Sequence, residues 1–343
     1  MKASVIIPTF NRADQLRITL SSLMLVEYDP TSFEIIVVDN GSTDSTKCVV
    51  EKFIIDHPKN CLKYIYDSIP GLLTGRHRGA KESKGEILIF IDDDIKADKN
   101  WLKEILATFD GHPDVHLVGG KCLPDFERTP PEWLYYFKKE LPDGGWMITD
   151  LSLCDYGDVE KEIPATWVWG LNFSIRKESL YKHGGFHPDN IPPAFQHFQG
   201  DGETGLSFKL AATGCKTWYN PQIIVEHIVP ADRMTFTYFE KRYFYQGVCN
   251  SFTEIRQIKG SYSRKILTTF VKMLKSIFRS VFGKKNTKFQ VGSDEFNKQV
   301  LITRFASMER AGYHFHQKLA WSSPELMKWI LREDYFDYKL PEI

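Results

Sequence analysis

Residues 85–94 read G-E-I-L-I-F-I-D-D-D, and that stretch limits the fold of this chain more than any other. Ile87 to Ile91 is an unbroken run of β-branched, aliphatic and aromatic side chains, the pattern of a strand covered on both faces in a parallel sheet. It stops at Asp92, Asp93 and Asp94. Three adjacent carboxylates repel one another unless a cation or hydrogen-bond donors hold them. Hard oxygen ligands of this kind suit Mg²⁺ or Mn²⁺, and Mg²⁺ is usually held by one or two carboxylates together with substrate phosphates. Strand alternation predicts Asp92 and Asp94 on one side and Asp93 on the other, so the expected metal pair is Asp92 with Asp94. Open α/β sheets bind ligands at the carboxyl ends of their strands, which is where the cluster falls.

The rest of the chain alternates in the same manner. Strands are predicted at Ala3–Ile7, Phe33–Val38, Cys61–Tyr66 and Val115–Gly119, separated by helical patterns at Leu16–Leu23, Lys47–Ile55 and Trp101–Phe109. Asp14 is the expected N-cap of the first helix. Residues 70–79, P-G-L-L-T-G-R-H-R-G, suggest a basic, glycine-rich loop leading into a helix through Ser83. The alternation predicts βαβ units, hence an α/β fold with a mainly parallel sheet flanked by helices and a C-terminal helical extension. From Lys121 to Ile163 the periodicity dissolves, as in a flap or an added hairpin. Trp167–Ile175 is expected as a strand interrupted at Gly170, and Asp201–Thr204 as the start of a helix ending at Gly214. Two last strands are expected at Cys215–Tyr219 and Ile223–Ile228.

Lysine plus arginine and aspartate plus glutamate balance at 44 each, so no overall field favours nucleic acid as a partner. The six cysteines lack C-x-x-C spacing, which predicts free thiols in a reducing compartment rather than zinc or a disulfide framework. The start offers no room for a secretory leader before the first strand, and no apolar run reaches the ~18 residues of a membrane span. The expected location is cytoplasmic.

Five segments together resemble the family-2 glycosyltransferases of GT-A fold: S-V-I-I-P-T-F-N-R (4–12), E-I-I-V-V-D-N-G-S-T-D (34–44), G-R-H-R-G (75–79), I-F-I-D-D-D (89–94) and G-E-T-G-L-S-F-K-L (202–210). The resemblance covers about residues 1–230. It implies a catalytic domain there, with a nucleotide-binding half (1–120) and an acceptor half (121–230), followed by a helical segment (231–290) and C-terminal helices (291–343). It implies inverting transfer from a UDP-, GDP- or dTDP-sugar to a hydroxyl of a glycan or lipid-linked acceptor, in surface polysaccharide or glycoconjugate synthesis. Pro8, Thr9, Asn11, Asp39, Arg76, Asp92 and Asp93 fall on nucleotide-binding positions, and Asp92 and Asp94 on the D-x-D pair. His227 resembles the histidine that completes metal coordination. The family's catalytic base is usually the aspartate of an E-D pair. Here Gly202 and Glu203 stand in its place with Asp201 just upstream, so both Glu203 and Asp201 are candidates. Trp169, Gly170 and Asn172 are candidates for sugar or acceptor contact. A sugar-nucleotide nucleotidyltransferase uses a similar fold, but the glycine- and arginine-rich phosphate loop usual at its start is missing here. A non-catalytic nucleotide- or glycan-binding partner is the other alternative.

Between Lys259 and Lys288 lie nine lysines and arginines and no acidic residue. Leu267, Phe270, Val271, Leu274, Ile277, Phe278 and Val281 share one helical face. Such a basic amphipathic helix suits an anionic membrane surface, which would make the protein peripheral on the inner face of the membrane; the alternative is packing on the catalytic domain. Two more helices are expected at Asp294–Tyr313 and Ser323–Arg332, the latter with Ser323 as N-cap.

Overall fold

The computed structural model describes residues 1–69, 71–191, 193–261, 263–271 and 294–337. Four parallel strands form the N-terminal part of its sheet: β1 (Ala3–Thr9), β2 (Phe33–Asp39), β3 (Cys61–Tyr66) and β4 (Ile87–Phe90), arranged 3-2-1-4. The helices α1 (Ala13–Leu23), α2 (Thr46–Asp56) and α3 (Leu72–Glu82) connect them. The strand order reverses between β1 and β4, so their carboxyl ends open the crevice in which such sheets hold ligands. β1 and β2 are buried throughout, as their continuous apolar runs require.

Beyond β4 the sheet becomes mixed. Short β5 (Ile95–Ala97), then α4 (Trp101–Gly111), lead into β6 (Val115–Phe126), which is longer than the expected Val115–Gly119. The segment expected as a flap supplies β7 (Lys139–Glu140), β8 (Trp146–Ile148) and β9 (Leu153–Asp155), an antiparallel edge paired on β6, and then β10 (Lys161–Glu162). Trp167–Ile175 is not one strand. It makes 3₁₀ turns at Ala165–Trp167 and Gly170–Asn172 before β11 (Phe173–Arg176), which lies antiparallel between β4 and β6. After α5 (Lys177–Lys182) and α6 (Gly202–Ala212), the two last expected strands form a single β12 (Lys216–Val229), irregular between Tyr219 and Ile224.

Two local expectations are also corrected. The glycine-rich 70–79 segment is already helix from Leu72, lying so flat on β1 that a Cβ on Gly79 would come 2.4 Å from Ile6 Cγ2. Asp14 sits inside the first turn of α1; the carboxylate that meets its free end is Asp44, which accepts from Ala13 N at 3.0 Å.

The C-terminal part is helical: α7 (Phe236–Gln257), α8 (Asp294–Ser322) and α9 (Pro324–Ile330), with Ser323 capping α9 through Leu326 N at 3.1 Å. An aromatic cluster fixes α7. Phe239 and Phe305 are buried against Leu134, Leu151 and Val229, and each such side chain contributes ~1.5–3 kcal/mol of apolar burial. The main core continues from the sheet into Leu326, Met327 and Trp329. The chain then returns to the rear of α3, where Phe336 stacks on His77 at 4.2 Å and Lys81 Nζ donates to the Phe336 carbonyl at 2.9 Å. Most of the basic amphipathic stretch lies outside the described residues; 263–271 is helical. Among the described residues no helix is long and apolar enough to cross a membrane.

Candidate active site

β4 ends at Phe90, so Asp92 to Asp94 occupy a turn and the strand alternation that would pair Asp92 with Asp94 does not apply. The turn sends the three carboxylates to three cations. Asp92 Oδ1 lies 3.4 Å from Arg76 NH2; Asp93 Oδ1 lies 2.7 Å from Arg12 NH1; Asp94 Oδ2 lies 2.7 Å from Arg12 NH2 and 3.0 Å from Arg233 NH2. Thr9 Oγ1 also donates to Asp93 Oδ2 at 2.7 Å. Burial together with the neighbouring Asp94 charge pushes Asp93 up to about 7 although Arg12 works the other way. Burial raises Asp92 too. For Asp94 burial is outweighed by the neighbouring cations, Arg12 and Arg233, which hold it below the usual carboxylate range.

His227 extends this cluster from β12. Its Nδ1 lies 2.9 Å from the Leu151 carbonyl, which fixes the proton there and leaves Nε2 facing Asp94 Oδ2 at 3.5 Å and Arg233 NH1 at 3.0 Å. Asp94 Oδ1 is buried without a hydrogen-bond partner among the described residues.

Asp92, Asp93, Arg12 and Arg233 form one wall of a cavity of about 450 Å³ between the ends of β1, β2 and β4 and the start of α7, and Asp94 and His227 lie behind that wall, outside the lining. Pro8, Thr9, Arg12, Asn40, Asp92, Asp93 and Arg233 line it, with Lys241 and Tyr245 of α7 opposite. Asn11 and Asp39 do not. Asn11, in the left-handed region at φ 53°, accepts from Thr43 N at 2.7 Å and so ties the β1 turn to the β2 turn. Asp39 is buried, receiving Ser42 N and Tyr64 OH at 2.7 Å each.

Arg76 carries the arrangement further. Its side chain, 3% exposed, lies across the Phe186 ring, and its other terminal nitrogen, NH1, is 3.3 Å from Glu203 Oε2. One guanidinium therefore joins Asp92 to the first turn of α6. Gly170 makes room for it: a Cβ there would sit 2.0 Å from Arg76 NH2, and the Gly170 N–H donates to Glu203 Oε1 at 3.2 Å. Glu203 also faces a second cavity, of about 360 Å³, between α6 and α7.

The two candidate bases occupy unlike settings. Asp201 is buried, with Oδ1 2.6 Å from His187 Nδ1 and Oδ2 accepting from Thr253 Oγ1 at 2.5 Å, so both oxygens are committed to the protein. Asn172 is likewise turned inward: its Oδ1 accepts from the buried Trp101 indole at 3.0 Å and its amide reaches the Lys121 carbonyl. Trp169 packs partly buried against the core. Of the three residues expected at the sugar, Gly170 alone touches the site.

Sequence reasoning assigned no role to Arg12, Arg233 or Asp189. Asp189 lies beside Gly202 and Glu203 with Oδ1 receiving Gln199 Nε2 at 2.7 Å; burial first, and then the Glu203 charge, push it up to about 6.

Comparison with known proteins follows the same lines. The chain is 25% identical over 284 residues, 79% of its length and 85% of the relative's, to glucosyl-dolichyl phosphate glucuronosyltransferase of Haloferax volcanii. It is 28% identical over 201 residues to validoxylamine A glucosyltransferase of Streptomyces hygroscopicus subsp. limoneus, covering 54% of this chain and 44% of that protein, less than half of the latter. Among solved structures, the mannosyltransferase PcManGT of Pyrobaculum calidifontis, in complex with GDP-Man and Mn²⁺, aligns over 97% of this chain and 86% of its own with a TM-score of 0.54 and 15% identity. S. aureus TarS 1–349 in complex with UDP-GlcNAc aligns over 93% and 91% with a TM-score of 0.51 and 18% identity. At such identities these two structures speak for the fold, a mixed sheet with flanking helices. Residues 4–184 match the model for glycosyl transferase family 2, and the chain belongs to that family.

Proposed function

We propose that this family-2 glycosyltransferase binds a nucleotide sugar in the cavity beside Asp92–Asp94 and transfers the sugar, with inversion, to an acceptor hydroxyl activated by Glu203. The observation that carries the reading is the Arg76 guanidinium shared between Asp92 and Glu203, since it sets the diphosphate end of the site and a carboxylate base on either side of one fixed charge.

Among the described residues no three metal-binding side chains converge into a closed cage. An ion of the Mg²⁺ or Mn²⁺ kind needs none, being held by one or two protein groups plus substrate phosphates. Asp94, with its unpartnered Oδ1, and His227, with Nε2 turned toward it, fit such a site, and Asp92 lies alongside. When bound, the ion would neutralise charge developing on the leaving diphosphate. Arg12 and Arg233 line the same cavity and supply fixed positive charge to the phosphates. The acceptor oxygen attacks C1 of the sugar, the C1–O bond to the diphosphate breaks, the acceptor proton passes to Glu203, and the nucleoside diphosphate leaves. Gly170 N–H and Arg76 orient that carboxylate, while Asp201 acts as a positioning residue, bracing the start of α6 against α7. A structural neighbour was solved with GDP-Man and Mn²⁺ and another with UDP-GlcNAc, and a relative is a glucosyl-dolichyl phosphate glucuronosyltransferase. They support a nucleotide-sugar donor, a divalent ion, and a glycan or lipid-linked acceptor for this chain.

Incubation with UDP-, GDP- and dTDP-sugars, with Mg²⁺, Mn²⁺ or EDTA, tests the reading. Slow metal-dependent hydrolysis of one donor class, lost in Glu203→Gln, is expected. Hydrolysis that survives EDTA, or that Glu203→Gln leaves intact, refutes the proposal.

A further inference from the structure

The second cavity, on the opposite side of Arg76 from the aspartates, has so far supplied Glu203 and the bracing Asp201. Its walls are the first turns of α6 and one face of α7, where Arg242, Gln246 and Asn250 follow each other at four-residue spacing; Asp189 forms its floor. Several of these groups have hydrogen-bonding capacity to spare. Among the described residues Arg242 makes no hydrogen bond or ion pair, although it feels the charges of Asp189 and Asp150. Among the described residues Asp189 Oδ2 has no donor; its Oδ1 takes both Gln199 and Asn190. Gln246 spends its amide N–H on Asn250, leaving its carbonyl free. At the rim, Phe208 is 43% exposed on an otherwise polar surface.

We infer that this groove is the acceptor subsite and that it takes an uncharged sugar residue, with Arg242 and Asp189 gripping neighbouring hydroxyls and Phe208 carrying the ring's C–H face. The inference rests on Glu203 being the base, because the hydroxyl to be glycosylated must reach it. Charge argues for a neutral ligand. Three carboxylates (Asp189, Asp201 and Glu203) beside the Arg242 guanidinium oppose a phosphate or uronate. An ammonium gains little, since Asp201 and Glu203 are already committed to His187, Thr253 and Arg76, and Arg242 repels it. Hydroxyls, each donor and acceptor at once, match a wall that offers a free guanidinium beside a free carboxylate oxygen.

Saturation-transfer NMR on the full chain tests this with methyl β-glucoside, methyl β-galactoside and methyl α-mannoside as neutral probes, methyl β-glucuronide and glycerol 3-phosphate as anions, and glucosamine as a cation. At least one neutral glycoside is expected to bind in preference to the charged probes. Arg242→Gln should weaken it by about tenfold, the loss of one charge-assisted hydrogen bond. Phe208→Ala, at a rim position where folding is not at stake, should weaken it as well. Calorimetric affinity for UDP or GDP should be unchanged in both variants, because the nucleotide cavity is separate. The inference is overturned if no neutral glycoside binds, if an anion or the amine binds better, or if both variants bind like the parent. Failure of the transferase reading looks different: glycosides would bind, yet no nucleotide sugar would be hydrolysed or transferred.

Discussion

The two cavities that meet at Arg76 are made of different material. The one at the aspartates is framed by the carboxyl ends of three strands, and its charges are matched in place, Asp93 and Asp94 by Arg12, Asp94 again by Arg233, Asp92 by Arg76. The one beyond Glu203 relies on the first turns of α6 and a face of α7 anchored from behind by Phe239, Phe252 and Ile255, and several of its polar groups have no partner among the described residues. A diphosphate is the same in every nucleotide sugar, so a rigid, pre-charged frame suits it. Acceptors differ, and a helix face is altered by one substitution at a time without disturbing the sheet.

The largest effect that would sharpen this contrast belongs to the residue between the cavities. Glu203→Gln should lower transfer by ~10²–10⁴-fold while leaving donor affinity near that of the parent, as measured by turnover and calorimetry. If Asp201→Asn is dead and Glu203→Gln is not, the base has been misassigned. Next comes Asp94→Asn on the donor side. It should weaken metal-dependent nucleotide-sugar binding by more than the ~10–100-fold typical of losing an outer-shell partner. Equal affinity with and without EDTA in the unaltered protein would break the comparison at that end. Asp201→Asn removes charge from hydrogen bonds to His187 and Thr253, and should cost about 1–3 kcal/mol in urea denaturation while keeping far more turnover than Glu203→Gln.

The smallest effect is one of pH on the groove side. Asp189 is raised from 3.8 to about 6, chiefly by burial, so folding favours its neutral form. Its contribution to stability is full below the unfolded value and is lost as pH rises through about 6. Asp189→Asn should therefore gain on the parent protein in urea midpoint between pH 4 and 7. A difference that does not change with pH would show that folding does not raise Asp189.

Legibility in the sequence follows the same division. The parallel half was readable because β1, β2 and β4 are continuous apolar runs with polar turns, and Asp92–Asp94 announced their own site. The partners of those aspartates were not readable. Arg12 and Arg233 lie some 80 and 140 positions from Asp94 in opposite directions, and only the folded sheet brings them together. The inward turn of Asn172 was not readable either, because its partner, the buried Trp101 indole, lies 71 positions away in the sequence. The 70–79 segment looked like a loop since glycines and charges outnumber apolar residues; close packing on Ile6 overrode that propensity. Asp189 sits in a stretch of prolines, histidines and glycines without periodicity, so nothing in the sequence marked it.

The return of residues 335–337 to α3 bears on how the protein is made. His77, next to Arg76, holds its proton on Nδ1 because Phe186 N–H donates to Nε2, and that Nδ1 lies 3.2 Å from the Tyr335 carbonyl, 258 positions later. In a chain made from its N-terminus, the rear face of α3 therefore waits some 250 residues for the segment that covers it.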